Sequence, residues 1–119
     1  MKAYYLSTCS TCKQFIAQLS LPETFVLQDI KTNKISAAQL EEMKSMAGSY
    51  EELFSRRAIK YHQLGLGKKT LVEADYKNLI LEEYTFLKRP VFIINDQIVI
   101  GSGKKNIERV KTLLENSGI

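Results

Sequence analysis

"YYLSTCSTCKQF", residues 4–15, decides how the rest of the chain is read. An apolar run gives way there to Cys9-Ser10-Thr11-Cys12, which holds the chain's 2 cysteines, and then to a helix-like pattern. Residues 3–6, "AYYL", suit a short buried strand. From Cys12 the apolar spacing becomes Phe15, Ile16 and Leu19, one face of a helix. Pro22 disfavours helix in the residue before it, so "LSLP" at 19–22 ends that helix. "TFVLQDI" at 24–30 reads as a second strand, giving the order strand, Cys-x-x-Cys, helix, strand.

Working outward, "KISAAQLEEMKSMAG" (34–48) opens with Ser36 and Gln39 at capping-box spacing, and Ile35 with Leu40 can close a hydrophobic staple around it. Leu40, Met43, Met46 and Ala47 continue the apolar face until Gly48 stops it. Ser49 with Glu52 begins a second start, and short helices continue through Ala58, Ile59 and Tyr61 to "LGLGKK". Residues 75–84 form a further helix, with Tyr76, Leu79 and Ile80 on one side. The texture changes at Pro90: "VFII" (91–94), the turn dipeptide Asn95-Asp96 and "QIVIG" (97–101) make an antiparallel hairpin. Ile107, Val110, Leu113 and Leu114 then recur at helical spacing, with Gly118 beyond the helix end. The order is βαβ, a helical stretch, ββα.

At 119 residues the chain is most simply one domain, 1–119, with a helical insertion at about 32–88. Its 45% hydrophobic and 25% charged residues are ordinary for a globular protein and exclude a disordered or low-complexity one. No segment has signal-peptide or membrane-spanning character, so a cytoplasmic location without membrane contact is expected. The net charge of +4 comes from 17 Lys and Arg scattered along the chain, with no interleaved aromatics. That distribution favours a small anion over direct nucleic-acid binding.

Two cysteines in a reducing compartment are not a disulfide framework; Cys-x-x-Cys there means redox or metal chemistry. A zinc site needs about four ligands, and only a distant His62 could join the pair. Two inert core cysteines are the bland alternative, and Cys12, on the face with Phe15 and Ile16, fits it better than Cys9 does. At a helix start, the first cysteine meets free N–H groups and the helix dipole, which favour a thiolate; the second sits one turn inside. Cys9 is therefore the expected nucleophile and Cys12 the resolving thiol. A βαβ unit followed by ββα is the thioredoxin topology, an α/β fold with a mixed four-stranded sheet. A proline at the start of its third strand, with a cis peptide bond in most members, faces the active cysteines; Pro90 occupies that place.

Together "YYLSTCSTCK", "SRRAIKYHQLGL" (55–66), "FLKRPVFIINDQIVIG" (86–101) and the closing helix resemble the arsenate reductase (ArsC-like) family, which includes the Spx regulators and YffB-type proteins. The resemblance implies a thioredoxin-like, glutaredoxin-like domain with a helical insertion between its halves. It implies that Cys9 attacks an oxyanion or a disulfide while arginines hold the negative charge. Carried onto this chain, those are Arg89, directly before Pro90, and Arg57, with Arg56 as the alternative if the alignment slips by one. Glutaredoxin-dependent arsenate reductases place a third arginine after the hairpin and lack Cys-x-x-Cys. This chain has Gly101, Ser102, Lys104 and Lys105 there and carries Cys12, as in the Spx and YffB branch.

Two functions follow. One is a thiol–disulfide oxidoreductase resembling arsenate reductase, with a redox-active Cys9–Cys12 disulfide and no bound cofactor. Its reductant would be an external thiol: thioredoxin, glutaredoxin or glutathione. The other is an Spx-like redox-sensing regulator that binds the RNA polymerase α-subunit, for which Gly48-Ser49-Tyr50 resembles the contact segment.

Overall fold

A computed structural model describes residues 1–116. Gly118, expected beyond the last helix, lies outside the described residues. The strands are β1 (Lys2–Tyr5), β2 (Val26–Asp29), β3 (Val91–Ile94) and β4 (Gln97–Ile100). The helices are α1 (Ser10–Ala17), α2 (Ala37–Ala47), α3 (Ile59–Gln63), α4 (Glu73–Glu82) and α5 (Lys104–Asn116). The chain divides into two compact units, Met1–Lys34 with the segment from Arg89 on, and Ile35–Lys88.

The first unit is built on one sheet of order β2-β1-β3-β4. β1 is parallel to β2 and antiparallel to β3, and β3 is antiparallel to β4. This is the mixed sheet of the thioredoxin-like α/β fold. "VFII" is buried at all four positions because β3 is a central strand. β2 is an edge strand, and its Val26 and Leu27 stay exposed. The hairpin closes with Ile94 opposite Gln97, leaving Asn95-Asp96 as a two-residue loop. Asn95 takes a φ of 56° there, which Asn tolerates better than a branched side chain would.

One sheet face carries a contiguous aromatic and aliphatic cluster. Ala3, Phe92 and Val99 stand in register across β1, β3 and β4. They pack with Phe15 of α1, with Phe25, and with Val110 and Leu114 of α5. The Phe92 ring lies 5.4 Å from Phe15 and 5.8 Å from Phe25, centroid to centroid. The i, i+3, i+7 spacing of Ile107, Val110 and Leu114 thus points one α5 stripe at the sheet.

The second unit is helical. The Ser36 hydroxyl accepts the Gln39 N–H at 3.1 Å and the Gln39 side chain accepts the Ser36 N–H at 3.0 Å, completing the capping box. Gly48, with φ 101°, ends α2 in the left-handed region. At α4, the Asp75 carboxylate accepts the Val72 N–H at 3.0 Å; valine has no acceptor to return the bond. Phe54 centres the unit, stacked on Phe86 at 5.1 Å with Tyr76 edge-on at 4.9 Å. Two expected details differ. The start at Ser49 yields only a single tight turn at Glu51–Leu53. The helix expected at 75–84 begins earlier, at Glu73, and ends at Glu82 before another tight turn. No helix among the described residues is long and apolar enough to cross a membrane.

Candidate active site

β1 leads straight into the cysteine turn. The Cys9 N–H donates to the Leu6 carbonyl at 3.0 Å, closing a four-residue turn over Leu6–Cys9. Cys9 is the residue before α1, with extended dihedrals (φ −96°, ψ 111°), and its carbonyl accepts the first helical bond, from Lys13 N–H at 3.2 Å. Cys12 is then the third helical residue, a turn inside and fully buried, whereas Cys9 is half-buried. The asymmetry follows from the helix itself: the residue just before its first turn stands at the rim, and position 12 shares the apolar face with Phe15.

Strand pairing brings a second element to the same place. Because β3 runs antiparallel to β1 with Val91 opposite Tyr4, the residues just before β3 lie beside the end of β1. Those residues are Arg89 and Pro90, joined by a cis peptide bond. Pro90 is buried, and its carbonyl accepts the Gly101 N–H at 2.9 Å. Arg89 is half-buried and reaches the Cys9 sulfur.

The two thiols are driven in opposite directions. For Cys9 the largest single influence is burial, which opposes ionisation. It is outweighed by the Cys12 backbone N–H, the Cys12 side chain, and the charge and hydrogen bond of Arg89, so the Cys9 pKa falls below that of an ordinary thiol. The Cys9 side chain forms no conventional helix cap. The Cys12 N–H therefore acts on the large, diffuse sulfur over a looser geometry than a Ser or Asp cap would need. Burial pushes Cys12 the other way, to about 11, with its side-chain hydrogen bond to Cys9 and the Cys9 charge adding to the rise. One thiolate is stabilised next to a neighbouring thiol that keeps its proton.

Of the residues singled out from sequence, the structure brings Cys9, Cys12, Arg89 and Pro90 together in the first unit. Arg57 belongs to the second unit. It is exposed, its N–H donates to the Ser55 hydroxyl at 3.3 Å, and its guanidinium takes no partner among the described residues. Arg56 is engaged structurally: it pairs with Glu51 at 2.9 Å and donates to the Tyr76 hydroxyl at 3.1 Å. Lys104 and Lys105 open α5 and are exposed. No group of three or more potential metal ligands occurs among the described residues.

Sequence reasoning passed over Asp29 and Asn106. Asp29 accepts the Ser7 N–H at 3.2 Å, two residues before Cys9. The Asn106 side chain donates to the carbonyls of Ile100 and Gly101 at 2.9 and 3.1 Å, fixing the loop tied to Pro90. An aspartate ending a strand just before a turn is a sequence signal for a capping acceptor. Its partner 22 residues earlier carries no such signal.

Known proteins share this fold. The chain is similar to the YffB protein, at 20% identity and a TM-score of 0.75, covering 92% of this chain and 96% of that one. It is similar to arsenate reductase from Vibrio cholerae, at 17% identity and a TM-score of 0.69 over 97% of both chains. An arsenate reductase (ArsC) related protein from Brucella melitensis matches at 19% identity and a TM-score of 0.69, over 91% of each chain. No curated protein matches in sequence. The model of the ArsC family matches residues 4–110, a span that begins in β1 and ends within α5, and the chain belongs to that family.

Proposed function

We propose that the chain is a thiol-dependent reductase of the arsenate-reductase type, with Cys9 as nucleophile and Cys12 as resolving thiol. One observation carries this reading. The half-exposed Cys9 sulfur is acted on by the Arg89 guanidinium and by both the N–H and the thiol of Cys12. A guanidinium and a helix-start N–H stabilise a thiolate, the form of cysteine that attacks.

With a disulfide substrate, the Cys9 thiolate forms a new S–S bond to one sulfur and expels the other as a thiolate. The Cys12 thiol then attacks the Cys9 sulfur, gives up its proton to solvent, and expels the second thiolate. The product is a Cys9–Cys12 disulfide, and the substrate has gained two electrons. With arsenate, Cys9 displaces a hydroxide from arsenic. Attack by Cys12 then closes the same disulfide, and arsenic(V) leaves as arsenic(III). An external thiol reductant (thioredoxin, glutaredoxin or glutathione) returns two electrons to the pair.

The order of events has a physical cause. Cys12 is held protonated partly by the Cys9 charge and hydrogen bond. Once Cys9 is tied up in an adduct, both influences vanish, and Cys12 becomes easier to ionise at the moment its attack is needed. Arg89 holds the negative charge at Cys9. The family resemblance gives Arg57 the same task toward the oxyanion, and its uncommitted guanidinium suits that role better than the paired Arg56 does.

The test is turnover of arsenate and of a glutathionyl mixed disulfide, coupled to NADPH through each candidate reductant. Turnover that disappears in Cys9→Ser supports the reductase. Equal rates for wild type and Cys9→Ser eliminate it. A Cys9–Cys12 disulfide that forms without turnover, together with capture of the carboxy-terminal domain of the RNA polymerase α-subunit, establishes the redox-sensing alternative.

A further inference from the structure

A carboxylate from another strand ties down the turn that carries Cys9. Asp29 is the last residue of β2, opposite Tyr5 at the end of β1. Its carboxylate accepts the Ser7 N–H at 3.2 Å. It also accepts the Lys31 N–H at 3.2 Å and the Thr32 hydroxyl at 3.4 Å. Led by Ser7, these donors hold the Asp29 carboxyl below the usual carboxylate range. Ser7 is the second residue of the Leu6–Cys9 turn, so the anchor sits inside the loop whose last residue is the sulfur-bearing one.

We propose that Asp29 is a positioning residue for Cys9: by fixing Ser7 it sets the direction in which the Cys9 side chain leaves the turn, toward the Cys12 N–H and Arg89. The inference rests on Cys9 being the nucleophile. The hydrogen bonds of the Asp29 carboxylate go to Ser7, Lys31 and Thr32, and of these Ser7 stands in the turn that carries Cys9, so its influence passes through Ser7. Two opposite signs follow from the two ways a carboxylate could matter. A nearby negative charge disfavours a thiolate, so an electrostatic role means that removing Asp29 lowers the Cys9 pKa. A positioning role means that removing it raises the pKa, because the sulfur spends less time against its donors.

The experiment is alkylation of Cys9 in the full chain by iodoacetamide, followed by peptide mass spectrometry across pH, with thermal unfolding run in parallel. Asp29→Ala is expected to raise the apparent Cys9 pKa by about half a unit to one unit, lowering the thiolate fraction near neutrality about three- to tenfold. Asp29→Asn keeps an acceptor oxygen for Ser7 and is expected to return the profile to that of wild type. Asp29→Glu keeps the charge but misplaces it by a methylene, and is expected to shift the profile upward even if the alanine variant fails to fold.

A profile unchanged or lowered in folded Asp29→Ala overturns the proposal, and so does an asparagine profile displaced as far as the alanine one. If the alanine variant is unfolded, an unshifted Asp29→Glu profile overturns it instead. Wild-type Cys9 titrating as an ordinary thiol sinks the nucleophile reading itself. A depressed wild-type pKa with no change in the variants sinks only the role of Asp29.

Discussion

The charge of Arg89 acts on the Cys9 sulfur although 80 positions separate the two residues in the chain. The antiparallel pairing of β1 with β3 closes that distance, since the end of one strand and the start of the other share an edge of the sheet. A charge placed by strand register rather than by a mobile loop acts on the sulfur without first having to be ordered.

Replacing Arg89 tests its share in Cys9 ionisation. Arg89→Ala is expected to raise the Cys9 pKa by about one unit, and so to cut Cys9 alkylation near neutrality by up to about tenfold. The sign follows from the depressed wild-type value. Between that value and the ordinary thiol pKa of about 8.5, wild type is largely thiolate and the variant largely thiol. Well above that range the two should alkylate at similar rates. A constant ratio at every pH would contradict the electrostatic account.

Cys12 should govern release rather than attack. With glutathione disulfide as oxidant, Cys12→Ser is expected to stop at one glutathione bound on Cys9, while wild type proceeds to the intramolecular disulfide. Intact-mass measurement after acid quench separates the two. A stable glutathione adduct on wild type would remove Cys12 from the mechanism.

The raised pKa of Cys12 also predicts how stability changes with pH. Unfolded, Cys12 ionises near about 8.5; folded, it keeps its proton up to about 11. Its contribution is complete below the lower value and is lost as pH climbs toward the upper one. The stability of wild type relative to Cys12→Ala should therefore shrink over that alkaline window, in urea titrations of the reduced proteins. Parallel curves would show that Cys12 titrates as it does when unfolded.

Packing of the first unit rests on the Phe92 contacts with Phe15 and Phe25. Phe92 is fully buried, and Phe92→Ala is expected to cost about 3–5 kcal/mol in urea unfolding. Ser36→Ala, which breaks the α2 capping box, should cost only about 1 kcal/mol and leave Cys9 alkylation unchanged. An effect of Ser36→Ala on Cys9 would mean the cap does more than hold α2.

Arg57→Ala separates charge recognition from thiol activation. It is expected to lower kcat/KM for an oxyanion substrate by about tenfold while the Cys9 alkylation profile stays at wild type. A shifted alkylation profile would move Arg57 from substrate to nucleophile.

Local information in the sequence was enough for several features. The capping box at Ser36 and Gln39, the stop at Gly48, the Asn95-Asp96 turn and the apolar stripe of α5 each depend on residues within a few positions of one another. The order βαβ, helices, ββα followed from the same short-range patterns. Cys9, Cys12 and Arg89 could be marked from spacing and family resemblance. The approach of Arg89 to Cys9 could not, because it needs the β1–β3 pairing. The helix start already marked Cys9 as the more acidic thiol; tertiary structure added the burial that raises Cys12 and the reach of Arg89 to Cys9, which are properties of the assembled sheet. Tertiary structure alone joined Asp29 to Ser7, because a hydrogen bond between an edge strand and a turn leaves no periodic trace. Short-range chemistry sets the elements; the balance of charge and desolvation at one sulfur depends on atoms that only folding brings within reach.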